Sequence, residues 1–255
     1  MDFAEPISNN LRKLVSSLQR KKEREENNLF VAEGEKLCEE LLLSSYNTEF
    51  IVVRSGAGDQ AIRLAEKYDR AGISVYIARK QQFDQLCDTK SPQDIIAVVK
   101  ISNDSSSKGR SFIALEDIAD PGNLGTIIRT ADWFGFKDIV LGGDCVDRFN
   151  SKTVRATMGS LFRCNFTIVE DLAEYLNNLN GFEIYGAVLN ADKDIQKCAP
   201  GSKFGIVFGS ESKGLSSKVI KTLTHKFIIP GIGGAESLNV AVSVGISCYH
   251  FSRFL

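Results

Sequence analysis

The second half of the chain alternates short apolar runs with segments of helical periodicity, and this pattern limits the fold more than any other feature. The runs cover residues 111–115, 138–141, 166–169, 183–189, 204–208 and 226–229. Strands that alternate with helices usually pair in parallel and are covered on both faces. The sequence therefore predicts an α/β domain with a largely parallel sheet, whose binding site lies beyond the carboxyl ends of its strands.

A polar, Ser-rich segment with the sequence ISNDSSSKGR precedes this region and is typical of a connection between folded units. Before it, β-branched runs at residues 48–54, 74–78 and 93–101 are separated by helical-looking stretches at residues 59–70 and 80–88. A chain of 255 residues usually forms two domains. We therefore predict a small α/β domain at residues 1–100, a linker at 101–110 and the parallel-sheet domain at 111–255.

Composition and charge argue against several classes of protein. Lys and Arg number 31 against 32 Asp and Glu, so the chain lacks the basic excess of proteins that coat nucleic acid through charge alone. Apolar residues nowhere persist for the roughly 18 positions of a membrane span, and the N-terminus has no basic segment leading into an apolar run. We therefore expect a cytoplasmic protein that does not enter a membrane.

The six cysteines are scattered and form no Cys-x-x-Cys pair. They are Cys38, Cys87, Cys145, Cys164, Cys198 and Cys248. A chain of this size folds without disulfides, so we expect buried free thiols. His225 and His250 are the only histidines and complete no zinc ligand set at a workable spacing, so we expect no structural metal.

Three polar loops follow apolar runs, and the first is DPGNLG at residues 120–125. Asn123 is well placed to cap the helix that begins there. The apolar residues of this helix share one face, and Arg129 lies off that face. Arg129 is therefore either a solvated surface residue or a functional one.

The second loop, GSESKG at residues 209–214, directly follows a buried run. Its terminal glycines permit close approach of the backbone to a ligand. However, Leu215 stands where a phosphate-binding loop has lysine, and the three-glycine dinucleotide fingerprint is absent. The loop therefore disfavours NTP and NAD chemistry.

The third loop, IPGIGGAESLN at residues 229–239, is Gly-rich and precedes an apolar stretch. Ser237 or Asn239 can cap a helix beginning there. Unpaired amides at the start of that helix also offer donors to a phosphate or carboxylate.

Taken together, the three loops resemble the three signature motifs of the SpoU/TrmH branch of the SPOUT methyltransferases. The matching residues are Asn123, Gly125, Arg129 and 131–135 in the first motif, Gly209, Glu211 and 214–216 in the second, and 237–240 in the third. Residues 154–161 are similar to the family's Arg-Ala-Ser-x-Gly segment, with Thr157 in place of a commoner serine. In the second motif, Ser212 replaces a commoner glycine. Residues 30–35 resemble the start of the family's L30e-like substrate-binding domain.

The resemblance implies an L30e-like RNA-binding domain followed by a SPOUT domain with a C-terminal trefoil knot. It also implies S-adenosylmethionine as the cofactor. The positions that match the family's cofactor contacts are Gly209, Ile229 and Leu238, with Leu189, Asn190 and Gly231 as expected neighbours.

The implied reaction is 2'-O-methylation of a ribose in RNA, and Arg129 matches the residue that the family assigns to proton removal. A guanidinium stays protonated in almost every protein setting. Arg129 is therefore either the base itself or a clamp on a phosphate, with the phosphate or a water accepting the proton. Asn123, Glu211, Ser237 and Asn239 match the other polar motif positions and are expected to orient Arg129 and the ribose. Glu211 is the natural carboxylate partner for the arginine.

Two basic clusters are candidate RNA contacts. They comprise Lys13, Arg20, Lys21, Lys22 and Arg24 near the N-terminus, and Lys152 with Arg155 in the second half. The family resemblance also implies a homodimer, in which the apolar final helix at residues 240–251 is buried.

The L30e-like domain favours large-subunit rRNA as the substrate over tRNA. Three alternatives stay open: a tRNA ribose methyltransferase, a base-modifying enzyme of the same fold, and a non-catalytic RNA-binding protein that acts in ribosome assembly.

Overall fold

A computed structural model describes residues 3–89, 91–101 and 109–255 of the chain. The greater part of the predicted linker, residues 102–108, lies outside the described residues. The chain divides into two compact units, Met1–Asn103 with Asp147–Phe162, and Asp104–Val146 with Arg163–Leu255. The segment Asp147–Phe162 thus groups with the N-terminal residues, whereas the sequence-based boundaries placed it within residues 111–255.

Nine of the eleven strands in the described part of the chain match the predicted runs to within two residues, whereas the strands at residues 5–6 and 29–33 were not predicted. The strands are β1 Glu5–Pro6, β2 Leu29–Glu33, β3 Thr48–Arg54, β4 Ser74–Ala78, β5 Ile95–Lys100, β6 Ser111–Glu116, β7 Asp138–Gly142, β8 Asn165–Val169, β9 Glu183–Ala187, β10 Phe204–Phe208 and β11 His225–Phe227. The helices are α1 Asn9–Ser17, α2 Lys21–Asn27, α3 Glu35–Leu42, α4 Asp59–Arg70, α5 Lys80–Asp84, α6 Pro121–Trp133, α7 Ser151–Thr157, α8 Leu172–Asn177, α9 Ser217–Thr222 and α10 Val240–Phe251.

The sheet of the first unit is mixed, with the strand order β1-β4-β3-β5-β2. β4 runs parallel to both β1 and β3, while β5 is antiparallel to both β3 and β2. Residues two apart along a strand share a face, so Phe50 with Val52 and Ile96 with Val98 contribute to one core. Val15 of α1 packs into the same core.

Polar and aromatic contacts fix the segment Asp147–Phe162 within the first unit. Arg24 of α2 donates to Asp147 Oδ2 from Nε at 2.9 Å and from Nη2 at 2.6 Å. Its Nη1 donates to the carbonyl oxygens of Leu18 and Gln19 at 2.8 and 2.9 Å. Nearby, the rings of Phe30 and Phe149 lie 4.5 Å apart between centroids. These contacts explain why the segment groups with residues far from it in sequence.

The sheet of the second unit confirms the predicted parallel α/β fold. Its strand order is β11-β9-β10-β6-β7-β8, and every neighbouring pair is parallel. α8 and α9 contribute Leu172 and Val219 to a core with Phe112, Val140 and Val207. α10 contributes Phe251, whose ring contacts the rings of Tyr185, Phe204 and Phe227 on the strands. The trefoil knot implied by the resemblance stays a prediction.

Five of the cysteines are buried free thiols, as expected, while Cys145 is half-buried. Burial raises the pKa of Cys164 and of Cys248 to about 12. Within the described ranges, no helix has the length and apolar character needed to cross a membrane. The described His, Cys, Asp and Glu side chains also form no group of three or more that is suited to a metal ion.

Candidate active site

Four neighbouring strands of the parallel sheet end in the segments that carry the predicted site. β11, β9, β10 and β6 lie next to one another in that order. After β9 comes a turn in which the Ala191 amide donates to the Val188 carbonyl at 3.2 Å. The three motif loops follow β6, β10 and β11. Because parallel strands place their carboxyl ends at one edge, these four segments gather on the same side of the sheet.

The first motif corrects the predicted helix cap. Asp120, not Asn123, is the N-cap of α6, and its side chain accepts a hydrogen bond from the Asn123 amide at 2.8 Å. Pro121 at the start of the helix supports this boundary, because its fixed φ suits the first helical turn. The Asn123 side chain is therefore free to make a different contact.

One carboxylate oxygen joins the three motifs. Glu211 Oε1 accepts hydrogen bonds from Asn123 Nδ2 at 3.0 Å, from Asn239 Nδ2 at 2.6 Å and from the Val240 amide at 3.3 Å. Asn239 Nδ2 also donates to Asn123 Oδ1 at 3.1 Å. Three of the five predicted catalytic residues thus form one hydrogen-bonded cluster, which we call the Asn-Glu-Asn cluster.

Asn239 has a second role, which confirms the capping hypothesis for this residue. Its Oδ1 accepts from the Ala241 amide at 2.9 Å and from the Val242 amide at 3.3 Å at the start of α10. The amide group therefore caps the helix with its oxygen and binds the cluster with its nitrogen. Ser237 is exposed and makes no side-chain hydrogen bond to any described residue.

Backbone contacts close the second motif loop tightly. The Gly214 amide donates to the Ser210 carbonyl at 2.8 Å. A Cβ on Gly209 would lie 2.1 Å from the Gly214 carbonyl carbon, so only glycine fits at this position. Glu116, at the end of β6, accepts a hydrogen bond from the Ser216 amide at 2.8 Å and ties this loop to the sheet. Glu116 was not among the predicted site residues, although a carboxylate that ends a buried apolar strand is a signal visible in the sequence.

Arg129 lies apart from the cluster. Its side chain is exposed and forms no hydrogen bond or ion pair with the residues that the structure describes. The predicted pairing of Glu211 with Arg129 is therefore wrong for this structure. Arg129 follows Asn123 by six positions, which turns its side chain by about 120° around the helix and moves it about 9 Å along the axis. The face that carries Arg129 also carries exposed Thr126 and Trp133.

The residues proposed to hold the cofactor offer apolar side chains and unpaired backbone. Leu189 and Leu238 are 64% and 47% exposed, which is unusual for leucine. Ile229 and Gly209 are half-buried, while Asn190 and Gly231 are exposed. Among the described residues, no amide from position 229 to 238 donates to another backbone carbonyl. Exposed apolar side chains next to open backbone donors suit an adenine ring and a polar tail.

The structure separates the candidate RNA contacts into distinct groups. Lys13 is exposed and makes no ion pair with a described residue. Three further basic residues are exposed but form ion pairs within α2 or at its start. Arg20 pairs with Glu23 at 2.9 Å, Lys21 with Glu25 at 3.7 Å and Lys22 with Glu26 at 3.6 Å. Lys152 is exposed on α7.

Two of these basic residues have structural contacts instead. Arg24 is 3% exposed and is bound by Asp147 and backbone carbonyls, so the prediction that it contacts RNA is wrong. Arg155 is half-buried between Glu33 and Asp88, with N···O distances of 3.6 and 3.5 Å. The two carboxylates therefore compensate the positive charge of Arg155, which was predicted to contact RNA.

The parallel sheet, with a site formed by three loops at the carboxyl ends of its strands, defines an α/β enzyme. Its sequence matches the SpoU rRNA methylase family over residues 110–249 and the MRM3-like substrate binding domain over residues 9–97. The chain belongs to the SpoU rRNA methylase family. It is an RNA methyltransferase that uses S-adenosylmethionine, as the motifs predicted.

Similar proteins match between about three quarters and nearly all of the chain. It is 34% identical to the 23S rRNA (guanosine(2553)-2'-O)-methyltransferase RlmP of Bacillus subtilis, over 91% of this chain and 92% of that protein. It is 30% identical to an uncharacterized tRNA/rRNA methyltransferase of Synechocystis sp., over 74% of this chain and 71% of that protein. The crystal structure of the AdoMet-bound rRNA methyltransferase from Sinorhizobium meliloti superposes with a TM-score of 0.86 at 29% identity, covering 99% of this chain and 97% of that one.

Proposed function

We propose that this enzyme methylates the 2'-hydroxyl of a ribose in large-subunit ribosomal RNA. The observation that carries the proposal is the Asn-Glu-Asn cluster, in which one residue from each motif contributes to a single hydrogen-bonded group. The likeness to a 23S rRNA 2'-O-methyltransferase over nearly the full length of both chains supports this choice of substrate. Residues 111–255 would carry the reaction, residues 1–100 would bind the RNA, and the enzyme would act in the cytoplasm.

S-adenosylmethionine supplies an electrophilic methyl group, so the protein has to position the hydroxyl and assist loss of its proton. Leu189, Ile229 and Leu238 would contact the adenine, with Asn190 beside them, while Gly209 and Gly231 leave room for close backbone approach. The Asn-Glu-Asn cluster connects the loops after β6, β10 and β11 and would hold them in one arrangement around the cofactor.

Arg129 has the charge and exposure required to hold the RNA. An arginine binds phosphate through two parallel hydrogen bonds and stays protonated while it does so. We assign Arg129 to the phosphate beside the target ribose, where its charge also favours the developing alkoxide. The phosphate or a water then accepts the proton. Ser237 is assigned to the ribose, since its hydroxyl has no partner among the described residues.

We further propose that exposed Lys13, Arg20, Lys21, Lys22 and Lys152 contact RNA phosphates. We also propose a homodimer formed through α10. That helix buries one side against its own unit and leaves Val242, Ile246 and Tyr249 exposed at spacings of four and three residues. Large exposed apolar patches are typical of protein interfaces.

The test is transfer of labelled methyl groups from S-adenosylmethionine to total RNA from a strain that lacks this gene, followed by mapping of 2'-O-methylated positions. We expect one new mark on large-subunit rRNA. Arg129→Ala should lower the rate by roughly 10²- to 10³-fold, the range for losing one positioned group that stabilises a developing oxyanion. Arg63→Ala, which removes an exposed arginine on α4, is the matched control and should retain the activity.

Other results would change the proposal in defined ways. A mark on tRNA alone would contradict the substrate. Binding of S-adenosylmethionine without transfer to rRNA or tRNA would contradict the proposed substrate and point to another RNA or to an unassembled particle. Absence of cofactor binding would contradict the reaction and favour a non-catalytic RNA-binding role.

A further inference from the structure

An open groove in the first unit runs beside α1. Its volume is about 500 Å³, and its lining includes Arg12, Lys13, Ser16, Arg20, Gln85 and Leu86. Pockets of several hundred Å³ accommodate a nucleotide-sized group rather than a single ion. The groove lies wholly within residues that precede the catalytic sheet.

The charge of this groove is positive and only partly compensated. No acidic residue contributes to its lining. Arg12 and Lys13 form no ion pair with a described residue, and α1 contains no acidic side chain. On the neighbouring helix α2, by contrast, Lys21 and Lys22 each pair with a glutamate four positions later. Uncompensated cations next to each other cost electrostatic energy unless an anion binds them.

The chemistry of the lining selects the kind of anion. The groove offers two guanidinium groups, an ammonium group and the side-chain amide of Gln85, and its lining contains no aromatic ring on which a base could stack. Ser16 already donates its hydroxyl to the Gln85 carbonyl at 3.2 Å, which ties α1 to the opposite wall. Donors without stacking surfaces recognise the sugar-phosphate backbone rather than the base.

We propose that this groove binds the phosphodiester backbone of the substrate RNA, with Arg12 and Lys13 each contacting a phosphate. The proposal rests on the proposed function for the identity of the RNA. It adds Arg12, which no motif indicated, and it makes the groove a site that holds RNA without reading its sequence.

The test compares two double variants of the full-length protein. Arg12→Gln with Lys13→Gln removes the two groove cations, and glutamine keeps the helix propensity of α1. Arg63→Gln with Lys67→Gln is the matched control, because this pair is exposed on α4 and also lacks an ion pair with any described residue. Binding to an in-vitro transcript of large-subunit rRNA is measured across a salt series, and thermal melting verifies that both variants fold.

The logarithm of the RNA association constant falls linearly with the logarithm of the salt concentration. Removing one cation that binds a phosphate should make this slope less negative by about 0.7 to 0.9. Removing both cations corresponds to roughly 15- to 30-fold weaker binding near 0.15 M salt. The KM for RNA should rise by a similar factor while kcat is unchanged, since the groove does not touch the reacting atoms. The control variant should stay within about twofold of the wild type.

Equal weakening by both variants would overturn the proposal, because it would show an effect of net charge alone. An unchanged salt slope in the groove variant would do the same. If the wild type transfers no methyl group but the groove variant still binds RNA more weakly than the control, the proposed reaction fails and the groove stands. If the wild type transfers methyl groups normally and the two double variants bind RNA equally well, the groove proposal is rejected and the proposed function stands.

Discussion

At the scale of single residues, Glu211 is the side chain through which the three motifs contact one another. Its Oε1 is the common acceptor for donors from the first and third motifs. Glu211→Ala removes that acceptor, so the loops are free to separate, and misplacement by about 1 Å can cost on the order of 10² in rate. We expect kcat for methyl transfer to fall by about that factor, while Glu211→Gln, which keeps an acceptor oxygen, should lose less.

Glu39→Ala is the control for this prediction, because Glu39 is an exposed carboxylate on α3. Initial rates and the Kd for S-adenosylmethionine would be measured together. Wild-type kcat in Glu211→Ala would show that the cluster does not position the catalytic groups.

Arg24 is a structural residue, and its replacement should destabilise the first unit. Arg24→Met removes the donor to Asp147 Oδ2 and to the carbonyls of Leu18 and Gln19. Removing one partner of a buried ion pair typically costs about 3–5 kcal/mol in the free energy of unfolding. Urea unfolding followed by circular dichroism should show this decrease in stability. Arg20→Met removes an exposed pair and should cost about 1 kcal/mol or less; an equal cost for both variants would refute the structural role.

Asn123 shows how far single residues could be predicted from sequence. The sequence placed this asparagine in the correct motif and at the start of a helix. Asp120 and Asn123 are both good capping residues, and local sequence did not decide between them. The contact that decides the role of Asn123 is with Glu211, which is 88 positions away along the chain. Such a partner becomes evident only once the strands have aligned their carboxyl ends.

At the scale of elements, the loop after β10 depends on one glycine. In Gly209→Ala, the new Cβ would lie 2.1 Å from the Gly214 carbonyl carbon, which belongs to the backbone and cannot rotate away. The loop from 209 to 215 must then open, and Glu211 moves with it. We expect at least tenfold weaker binding of S-adenosylmethionine by calorimetry and a matching loss of methyl transfer. Gly58→Ala, where the Cβ meets its nearest neighbour at 3.7 Å, should leave both unchanged. Unchanged cofactor binding in Gly209→Ala would show that the loop tolerates opening.

The elements themselves were easier to predict than their grouping. Apolar runs of β-branched residues located the strands of the parallel sheet to within a residue or two, because burial on both faces requires such runs. The grouping of Asp147–Phe162 with the N-terminal unit was not predictable in this way. It depends on pairs such as Arg24 with Asp147, separated by 123 positions, and a buried arginine looks like a basic surface residue in sequence.

At the scale of the whole molecule, the exposed face of α10 is the feature that a single copy leaves unexplained. Val242, Ile246 and Tyr249 are 50%, 38% and 74% exposed, and Trp133 on the adjoining helix α6 is 83% exposed. Tyr249 and Phe134 link the two helices through a ring contact of 6.2 Å. A second copy of the chain can cover these exposed apolar side chains with its own α10, since two-fold interfaces are self-complementary.

Replacing Ile246 by aspartate should therefore separate the proposed dimer. In a two-fold interface one substitution introduces two carboxylates, and burying an unpaired charge costs several kcal/mol. Sedimentation equilibrium should give the monomer mass for Ile246→Asp and the dimer mass for the wild type. The fluorescence of Trp133, the only tryptophan, should shift to longer wavelength in the monomer, because its indole ring is then exposed to water. Leu43→Asp introduces the same carboxylate at a leucine that is 82% exposed in the first unit, and this variant should remain dimeric.

A dimer that persists in Ile246→Asp with unchanged Trp133 emission would place the subunit contact elsewhere. In that case another partner covers the exposed apolar residues of α10. Quenching of Trp133 fluorescence during titration with the rRNA transcript would then show whether that partner is RNA.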